Sequence, residues 1–170
     1  MFTSQRDIGD AVYVIMLSTG QARHVTAGSG ATWLSRNRIL FDGRYDTLFT
    51  VRPYGAHVQI LEVSVPSYSI APNVSRDGKK IVFAVRSDED WNSYNLYTAN
   101  ADGTGVRVLS TAGDAGEPVW SPDGLWVAYD FWRNLASSEI YLVRSDGSGI
   151  TRLTNAGDAC CADWRAGTLK

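Results

Sequence analysis

Histidine and cysteine, which carry much of the chemistry of enzymes and metal sites, are scarce in this chain of 170 residues, with two of each. His24 and His57 fall in the fourth strand of the repeat described below, so we expect both to face solvent at the outer rim. Cys160 and Cys161 are adjacent and could join only through a strained ring, and no CxxC motif or Cys/His cluster accompanies them. We therefore predict reduced thiols, no metal site and, without a G-x-S-x-G elbow, no catalytic residue.

Charge imbalance, long apolar runs and helical periodicity are also missing. A formal net charge of −2 leaves no basic footprint for a nucleic acid. No run approaches the roughly 18 apolar residues of a membrane helix, and residues 1–12 show no basic region before an apolar stretch, hence no visible signal peptide. The compartment therefore stays open between the cytoplasm and, for a mature form, the periplasm. No segment keeps a 3.6-residue period, which predicts very little helix.

What the chain does contain is a repeat of about 42 residues, seen when the sequence is aligned with itself. Three positions recur in four copies, and all but one of their occupants are aromatic, although aromatic residues make up only 11% of the chain. The first position holds Trp33, Val74, Trp120 and Trp164; the second holds Phe2, Phe41, Phe83 and Tyr129; the third holds Tyr13, Phe49, Tyr97 and Tyr141. Such recurrence indicates one structural unit that is copied along the chain.

Each copy has the pattern of four short strands separated by turns. In the copy that starts at residue 117, the strands are 117–121, 126–132, 139–144 and 150–154, with turns at 122–124 and 145–149 that contain Asp-Gly. The second strand is apolar on both faces, so both faces must be covered. Radial stacking of sheets achieves this. We therefore predict an all-β propeller of four four-stranded blades in one domain, residues 1–170.

The repeat is out of phase at the two ends of the chain. Residues 1–30 supply strands two to four of a split blade and residues 159–170 its innermost strand, whereas 31–69, 70–114 and 115–158 are whole blades. The C-terminal strand could complete the split blade of its own chain and close a ring of four blades. It could instead complete the blade of a second chain, so that strand exchange gives an eight-bladed dimeric ring. We favour the homodimer, because four wide, flat blades would meet at steep angles.

The segments SPDGLWVAYDF, DGKKIVFAV, EIYLVRSDGSGITRLT and NLYTANADGTGVRVLS resemble the repeat of TolB-type β-propellers, whose pattern runs W-S-P-D-G, I-A-F, I-Y, D-G and L-T. The resemblance is close from residue 71 onward and degenerate before it, where Ser35-Arg36-Asn37-Arg38 replaces Pro-Asp-Gly-Lys. It implies a bacterial propeller protein. It implies no functional residue, because the motif residues form turns and packing, and such blades serve in envelope proteins and in propellers that gate peptidases.

Two groups of residues are candidates for ligand binding. Where the fourth strand of one blade passes to the first strand of the next, bordering a mouth of the central channel, lie Asp114, Glu117, Asp158 and Asp163. They could hold Ca²⁺ through oxygen ligands or form a solvated acidic rim; no D-x-D-x-D-G loop supports the ion, and no other cofactor is implied. The second group is an acidic, aromatic loop with its counterpart one copy later: Asp88, Glu89, Asp90, Trp91 and Tyr94, with Trp132 and Arg133.

Three functions are compatible with these patterns. The first is a non-catalytic binding or scaffold module, whose aromatic loop stacks on a sugar or a peptide side chain, although Trp132 could equally pack between blades. The second is a hydrolase or lyase that acts on glycans or peptides at the channel mouth, where two carboxylates would suffice. The third is a self-assembling half-propeller or a fragment of a larger TolB-like protein. The absence of a reactive constellation favours the first.

Overall fold

The computed structural model describes residues 2–4, 10–43, 47–65, 69–87, 93–111, 113–134 and 137–165, with the backbone alone at 2–4, 133 and 134. All of the regular structure in these ranges is β-strand, which confirms the predicted all-β class. None of the described residues forms a helix long and apolar enough to cross a membrane. The strands, in chain order, are β1 (Phe2–Ser4), β2 (Ala11–Ile15), β3 (Ala22–Ala27), β4 (Ser29–Ser35), β5 (Arg38–Asp42), β6 (Leu48–Val51), β7 (Gln59–Ile60), β8 (Ser69–Val74), β9 (Lys80–Arg86), β10 (Tyr94–Asn100), β11 (Arg107–Ser110), β12 (Ala115–Trp120), β13 (Trp126–Asn134), β14 (Ser137–Arg144) and β15 (Thr151–Arg152).

The strands form four antiparallel sheets, each built from consecutive strands. The first blade contains β1–β3, the second β4–β7, the third β8–β11 and the fourth β12–β15. The first strand of each four-stranded blade lies innermost, because β4 contacts β8 and β8 contacts β12 across the blade boundaries. The chain is therefore a propeller segment of four blades, three of them four-stranded, as the repeat predicts.

The tight turns between strands are stabilised by aspartate side chains. In the third blade the Ser75 hydroxyl donates to Asp77 Oδ1 at 2.7 Å, and the same oxygen accepts the Lys79 backbone N–H at 3.1 Å. Ser121 and Asp123 repeat the first contact in the fourth blade, at 2.6 Å. These hydrogen bonds, with the serine hydroxyl as the largest cause, lower the pKa of both aspartates. The aspartates of the predicted turns thus have a structural role.

The apolar core lies between the blades, in three clusters. Val12, Ile39, Phe41 and Val51 join the first blade to the second. The second and third blades meet through Leu40, Leu48, Ile81, Phe83 and Val85, and the third and fourth through Val82, Leu96, Trp120, Val127 and Tyr129. None of these clusters of described residues joins the fourth blade to the first. In the part of the chain that the structure describes, the four blades therefore form an open arc.

The inner strands share a bulge at one position of the repeat. Gly30, Ala71 and Glu117 have φ angles of 55°, 51° and 43°, and the strand pairing shifts there in all three blades. A left-handed backbone costs an ordinary residue about 1–2 kcal/mol, so non-glycine residues at two of the three sites show that the pairing of the blade imposes this conformation.

The C-terminal segment, residues 159–165, repeats this geometry beside the fourth blade. Cys161 stands three residues before Trp164, as Glu117 stands three before Trp120, and its φ angle is 61°. The Trp164 indole Nε1–H donates to the Val119 carbonyl at 3.2 Å. Strand β1 pairs only with β2, so in the described residues this segment does not complete the first blade of its own chain.

Candidate functional site

The predicted aromatic loop lies mainly outside the described residues. Asp88, Glu89, Asp90 and Trp91 are not described, nor is the side chain of Arg133. Tyr94 begins β10, where it is half-buried against the core between the third and fourth blades. Of the loop candidates, the structure therefore describes only Tyr94, and as a packing residue.

Trp132 lies against the inner strand of its own blade. A Cβ at Gly116 would come within 2.6 Å of the Trp132 ring, and the Trp132 backbone N–H donates to the Asp114 carbonyl at 2.8 Å. The ring is half-buried rather than free in solvent. Of the two interpretations that the sequence left open for Trp132, this contact favours packing, here within the fourth blade.

Three of the four predicted carboxylates lie near the end of the fourth blade where β12 and β14 begin, and Asp163 lies in the C-terminal segment. Asp114 precedes β12 and its backbone N–H donates to Ser93 Oγ at 3.3 Å, whereas Glu117 sits exposed on the bulge. Asp158 forms a backbone bridge with Ser138, and Asp163 accepts the backbone N–H of Trp164 at 2.7 Å. No three of them form a close ligand group among the described residues, and the alternatives of bound Ca²⁺ and a solvated acidic rim both stay open.

A different set of side chains converges at this end of the blade. Asp130 on β13 is 1% exposed, and its carboxylate accepts the backbone N–H of Cys161 at 3.0 and 3.1 Å. One carboxylate oxygen of Asp130 and the Sγ atoms of Cys160 and Cys161 all lie within 4.8 Å of one another. We call these three residues the carboxylate–thiol cluster.

The local backbone explains how adjacent cysteines share one cluster. In an extended strand, neighbouring side chains point to opposite faces. The left-handed conformation of Cys161 breaks this alternation, so both thiols lie on the side of Asp130. Asp130 itself alternates with Tyr129, whose ring faces the third blade, so its carboxylate faces away from the third blade, toward the C-terminal segment.

The surroundings of the carboxylate–thiol cluster are anionic. Burial raises the pKa of Asp130, the Cys161 N–H partly opposes this, and the nearby Glu117 charge raises it further. The pKa of Cys161 is raised to about 11, by its hydrogen bond with Cys160, then by burial and by the charge of Glu117. Each shift means that an additional negative charge at this place is unfavourable, as is expected where several acidic groups meet.

Sequence reasoning found no partner for the two cysteines. Their partner is Asp130, 31 residues from Cys161, and only the packing of the C-terminal segment on β13 brings the two together. One signal was available: the repeat aligns Cys161 with Glu117, on the inner strand, and an inner strand packs against the blade before it. Both thiols are free and exposed in the structure, whereas the sequence predicted reduced thiols packed near the start of a strand.

The opposite face of the arc carries a polar cleft, and the described residues there form no group of candidate metal ligands. A cleft of about 300 Å³ opens between the turns of the third and fourth blades, lined among others by Arg76, Asp77, Lys80, Arg107 and Asp123. The two histidines are also remote from the cluster: His24, on β3, contacts the Tyr13 ring edge-on, and His57 lies just before β7 rather than within a strand. Both histidines are exposed, as predicted.

No family model and no curated protein sequence matches the chain, but solved structures do. TolB from Agrobacterium tumefaciens is 22% identical with a TM-score of 0.63, over 86% of this chain and 55% of that chain. An oligogalacturonate lyase from Vibrio parahaemolyticus is 18% identical with a TM-score of 0.63, over 88% and 47%. A chain of a nidogen–laminin complex is 14% identical with a TM-score of 0.67, over 86% and 58%. The chain thus has the TolB-type propeller fold and spans about half the length of these structures.

Proposed function

We propose that this chain is a non-catalytic binding or scaffold module that acts as half of a propeller ring, completed by a second copy. The observation that carries the proposal is the complementarity of the two ends of the arc. The C-terminal segment has the left-handed residue and the tryptophan at the repeat positions of an inner strand, and among the described residues no strand pairs with the free edge of β1.

An unpaired inner edge favours this assembly. The free inner edge of β1 would present N–H and C=O groups without partners, and exposed edges of this kind readily add another strand. If residues 159–165 of one chain pair with β1 of the other, both first blades gain a fourth strand. A two-fold axis makes the two exchanges equivalent and closes the ring. The length agrees, since the arc spans 55% and 47% of two solved propellers.

The binding surface that we propose is the face that carries the start of the inner strands. Asp114 and Glu117 give this face negative charge at the mouth of the channel, and Asp114 donates its backbone N–H to Ser93, the first described residue after the loop that contains Trp91. Acidic groups with an aromatic side chain suit a peptide or a glycan, which stacks on the ring and donates hydrogen bonds to carboxylates. Propellers serve such roles through one face while the blades act as a rigid scaffold.

The test of assembly is the solution mass of the full chain, by light scattering coupled to size exclusion. We expect twice the chain mass of 18.6 kDa, and a monomer for a variant that lacks 159–170. Trp33→Ala is the matched control, because Trp33 holds the repeat position of Trp164 but is 40% exposed in the middle of the arc; it should stay dimeric, whereas Trp164→Ala should dissociate at low concentration. A wild-type monomer at every concentration rejects the second copy.

The test of the binding face uses a peptide library and a glycan array as probes. We expect ligands for the wild-type protein whose binding falls at least tenfold in Trp91→Ala and is unchanged in Trp33→Ala. Equal binding by both variants would remove the aromatic loop from the proposal. The hydrolase or lyase alternative stays a prediction; it requires turnover of a glycan or a peptide that is lost in Asp114→Asn.

A further inference from the structure

A binding site for a thiophilic cation is the strongest feature that the proposed function leaves unused. We propose that Asp130, Cys160 and Cys161 bind one Zn²⁺ ion, which fastens the C-terminal segment to the fourth blade. The site needs one chain only, so it does not depend on the proposed dimer. It also differs in its residues and in its metal from the Ca²⁺ that the sequence left open as an alternative to a solvated acidic rim.

The geometry is close to that of a bound ion. Zinc binds thiolate sulfur at about 2.3 Å and carboxylate oxygen at about 2.0–2.2 Å, with tetrahedral angles, which separates ligand atoms by roughly 3.4–3.8 Å. The three ligand atoms already lie within 4.8 Å of one another. Small rotations of the two exposed cysteine side chains are therefore enough to close the site, while the buried Asp130 stays in place.

The donor set selects the class of metal. Two sulfur ligands favour zinc and other soft or borderline cations over calcium and magnesium, which prefer oxygen. Three protein ligands leave a fourth position for water. Glu117 is close enough for its charge to act on both Asp130 and Cys161, so it strengthens the attraction for a cation.

The neighbouring blades show that the fold alone does not require these ligands. Asp42 ends β5 at the repeat position that Asp130 holds on β13. The residues of the next inner strand that correspond to Cys160 and Cys161 are there Ile70 and Ala71, which cannot bind a metal. Asp42 instead accepts a hydrogen bond from Ser29 of its own blade, at 3.0 Å. Blade packing is thus possible without thiols, and their presence beside Asp130 calls for another explanation.

Binding involves an exchange of protons for metal and no change of oxidation state. Each thiol loses its proton to solvent as its Sγ–H bond breaks and a bond from Sγ to zinc forms. The ion then links Asp130 on β13 to Cys160 and Cys161 of the C-terminal segment, just after the backbone bridge of Asp158. A bridge of this kind restrains residues 159–165 in the position of an inner strand.

The experiment is a titration of the reduced, metal-free chain with Zn²⁺ against a chromophoric chelator, repeated with Co²⁺ to detect bands from thiolate coordination. We expect one ion per chain, with affinity lowered at least about 100-fold in Cys160→Ser/Cys161→Ser and in Asp130→Asn. Asp42→Asn and Asp163→Asn are the controls and should bind as the wild type does. Binding that is unchanged in the double serine variant, or absent from the wild type, overturns the proposal.

A second measurement covers the case in which Asp130→Asn fails to fold. The double serine variant changes only exposed side chains, so it should keep the circular dichroism spectrum of the wild type. Zinc should raise the melting temperature of the wild type and slow proteolysis after residue 158, and do neither in the double variant. Equal protection of both proteins by zinc would show that the ion binds elsewhere and would overturn the site.

Discussion

Two buried carboxylates on neighbouring strands of the fourth blade have opposite surroundings. Glu139 on β14 accepts hydrogen bonds from Arg152 at 2.6 Å, from the Thr154 hydroxyl and from the Gly157 N–H at 2.9 Å. Asp130 on β13 faces Glu117 and two thiols, and its hydrogen bonds come from backbone N–H groups. Glu139 is therefore compensated within the blade, whereas no described residue forms an ion pair with the buried Asp130.

The pKa shifts of the two carboxyls differ in the same way. The pKa of Glu139 is lowered, first by the Thr154 hydroxyl and then by Arg152, and that of Asp130 is raised, first by burial. A compensated buried charge supports the fold, and an uncompensated one marks a place where a ligand can be bound. The predictions below test this distinction, from the largest expected effect to the smallest.

The largest effect is expected for Glu139→Gln. The change removes the ion pair and leaves the Arg152 cation without its partner, so we expect the melting temperature to fall by roughly 5–10 °C. Glu62→Gln, at an exposed carboxylate, is the control and should change it little. If Glu139→Gln melts at the same temperature as the wild type, the Glu139 carboxylate does not stabilise the fold and the proposed contrast with Asp130 is wrong.

The next effect concerns Asp42, which holds the repeat position of Asp130. The bulge of its own blade is formed by a glycine, Gly30. A Cβ at Gly30 would lie 2.3 Å from Asp42 Oδ1, and the φ angle of 55° is unfavourable for alanine. We expect Gly30→Ala to lower the free energy of unfolding by about 2–3 kcal/mol in urea denaturation. Gly20→Ala has a similar φ of 68° without a close neighbour and should cost only about 1 kcal/mol. Equal losses would exclude a role for the Asp42 contact.

The pH dependence should separate the two carboxyls in the metal-free chain. A lowered folded-state pKa means that Glu139 contributes stability above its ordinary value of 4.5, and that this is lost as the pH falls through the folded pKa. A raised folded-state pKa means that Asp130 contributes stability at a pH below its ordinary pKa of 3.8, and that this stability is lost as the pH rises through the folded pKa. In urea melts from pH 3 to 7 with chelator, Glu139→Gln should flatten the acid side, whereas Asp130→Asn should gain on the wild type as the pH rises. The reverse pattern would contradict both assignments.

The smallest expected effect is an increase in the stability of the chain. Glu117→Gly and Ala71→Gly both remove a left-handed non-glycine residue from a bulge, and we expect each to stabilise the chain by about 0.5 kcal/mol, since the strain relieved exceeds the added entropy of the unfolded chain. Glu117→Gly should gain more at pH 7, because it also removes the charge near Asp130. A larger gain from Ala71→Gly would show that this repulsion is negligible.

The blades could be predicted from the sequence and the cluster could not. Turn residues such as those at 122–124 and 145–149 follow local backbone preferences, which can be read directly from a sequence. The recurring positions of Phe83, Tyr129 and Trp120 reflect the need to cover both faces of each sheet, and their periodicity is also visible in the sequence. The bulge at Glu117 and Cys161 is imposed by strand pairing against the preference of these residues, so no propensity reveals it. The contact of Asp130 with Cys161 depends on how one repeat packs on the previous one, and the aligned repeat gives only its approximate place.

The open arc has a consequence for how the molecule unfolds. The second and third blades each have a neighbour on both sides, whereas among the described residues the first and fourth each share a core cluster with one blade only. In such a linear array the stability of a unit is a sum of its own and its nearest-neighbour terms, so the chain should unzip from its two ends inward. Hydrogen exchange in the monomeric form should then be slowest in β5 and β9 and fastest in β2 and β14, and whatever closes the ring, a second copy or further blades, would erase that gradient.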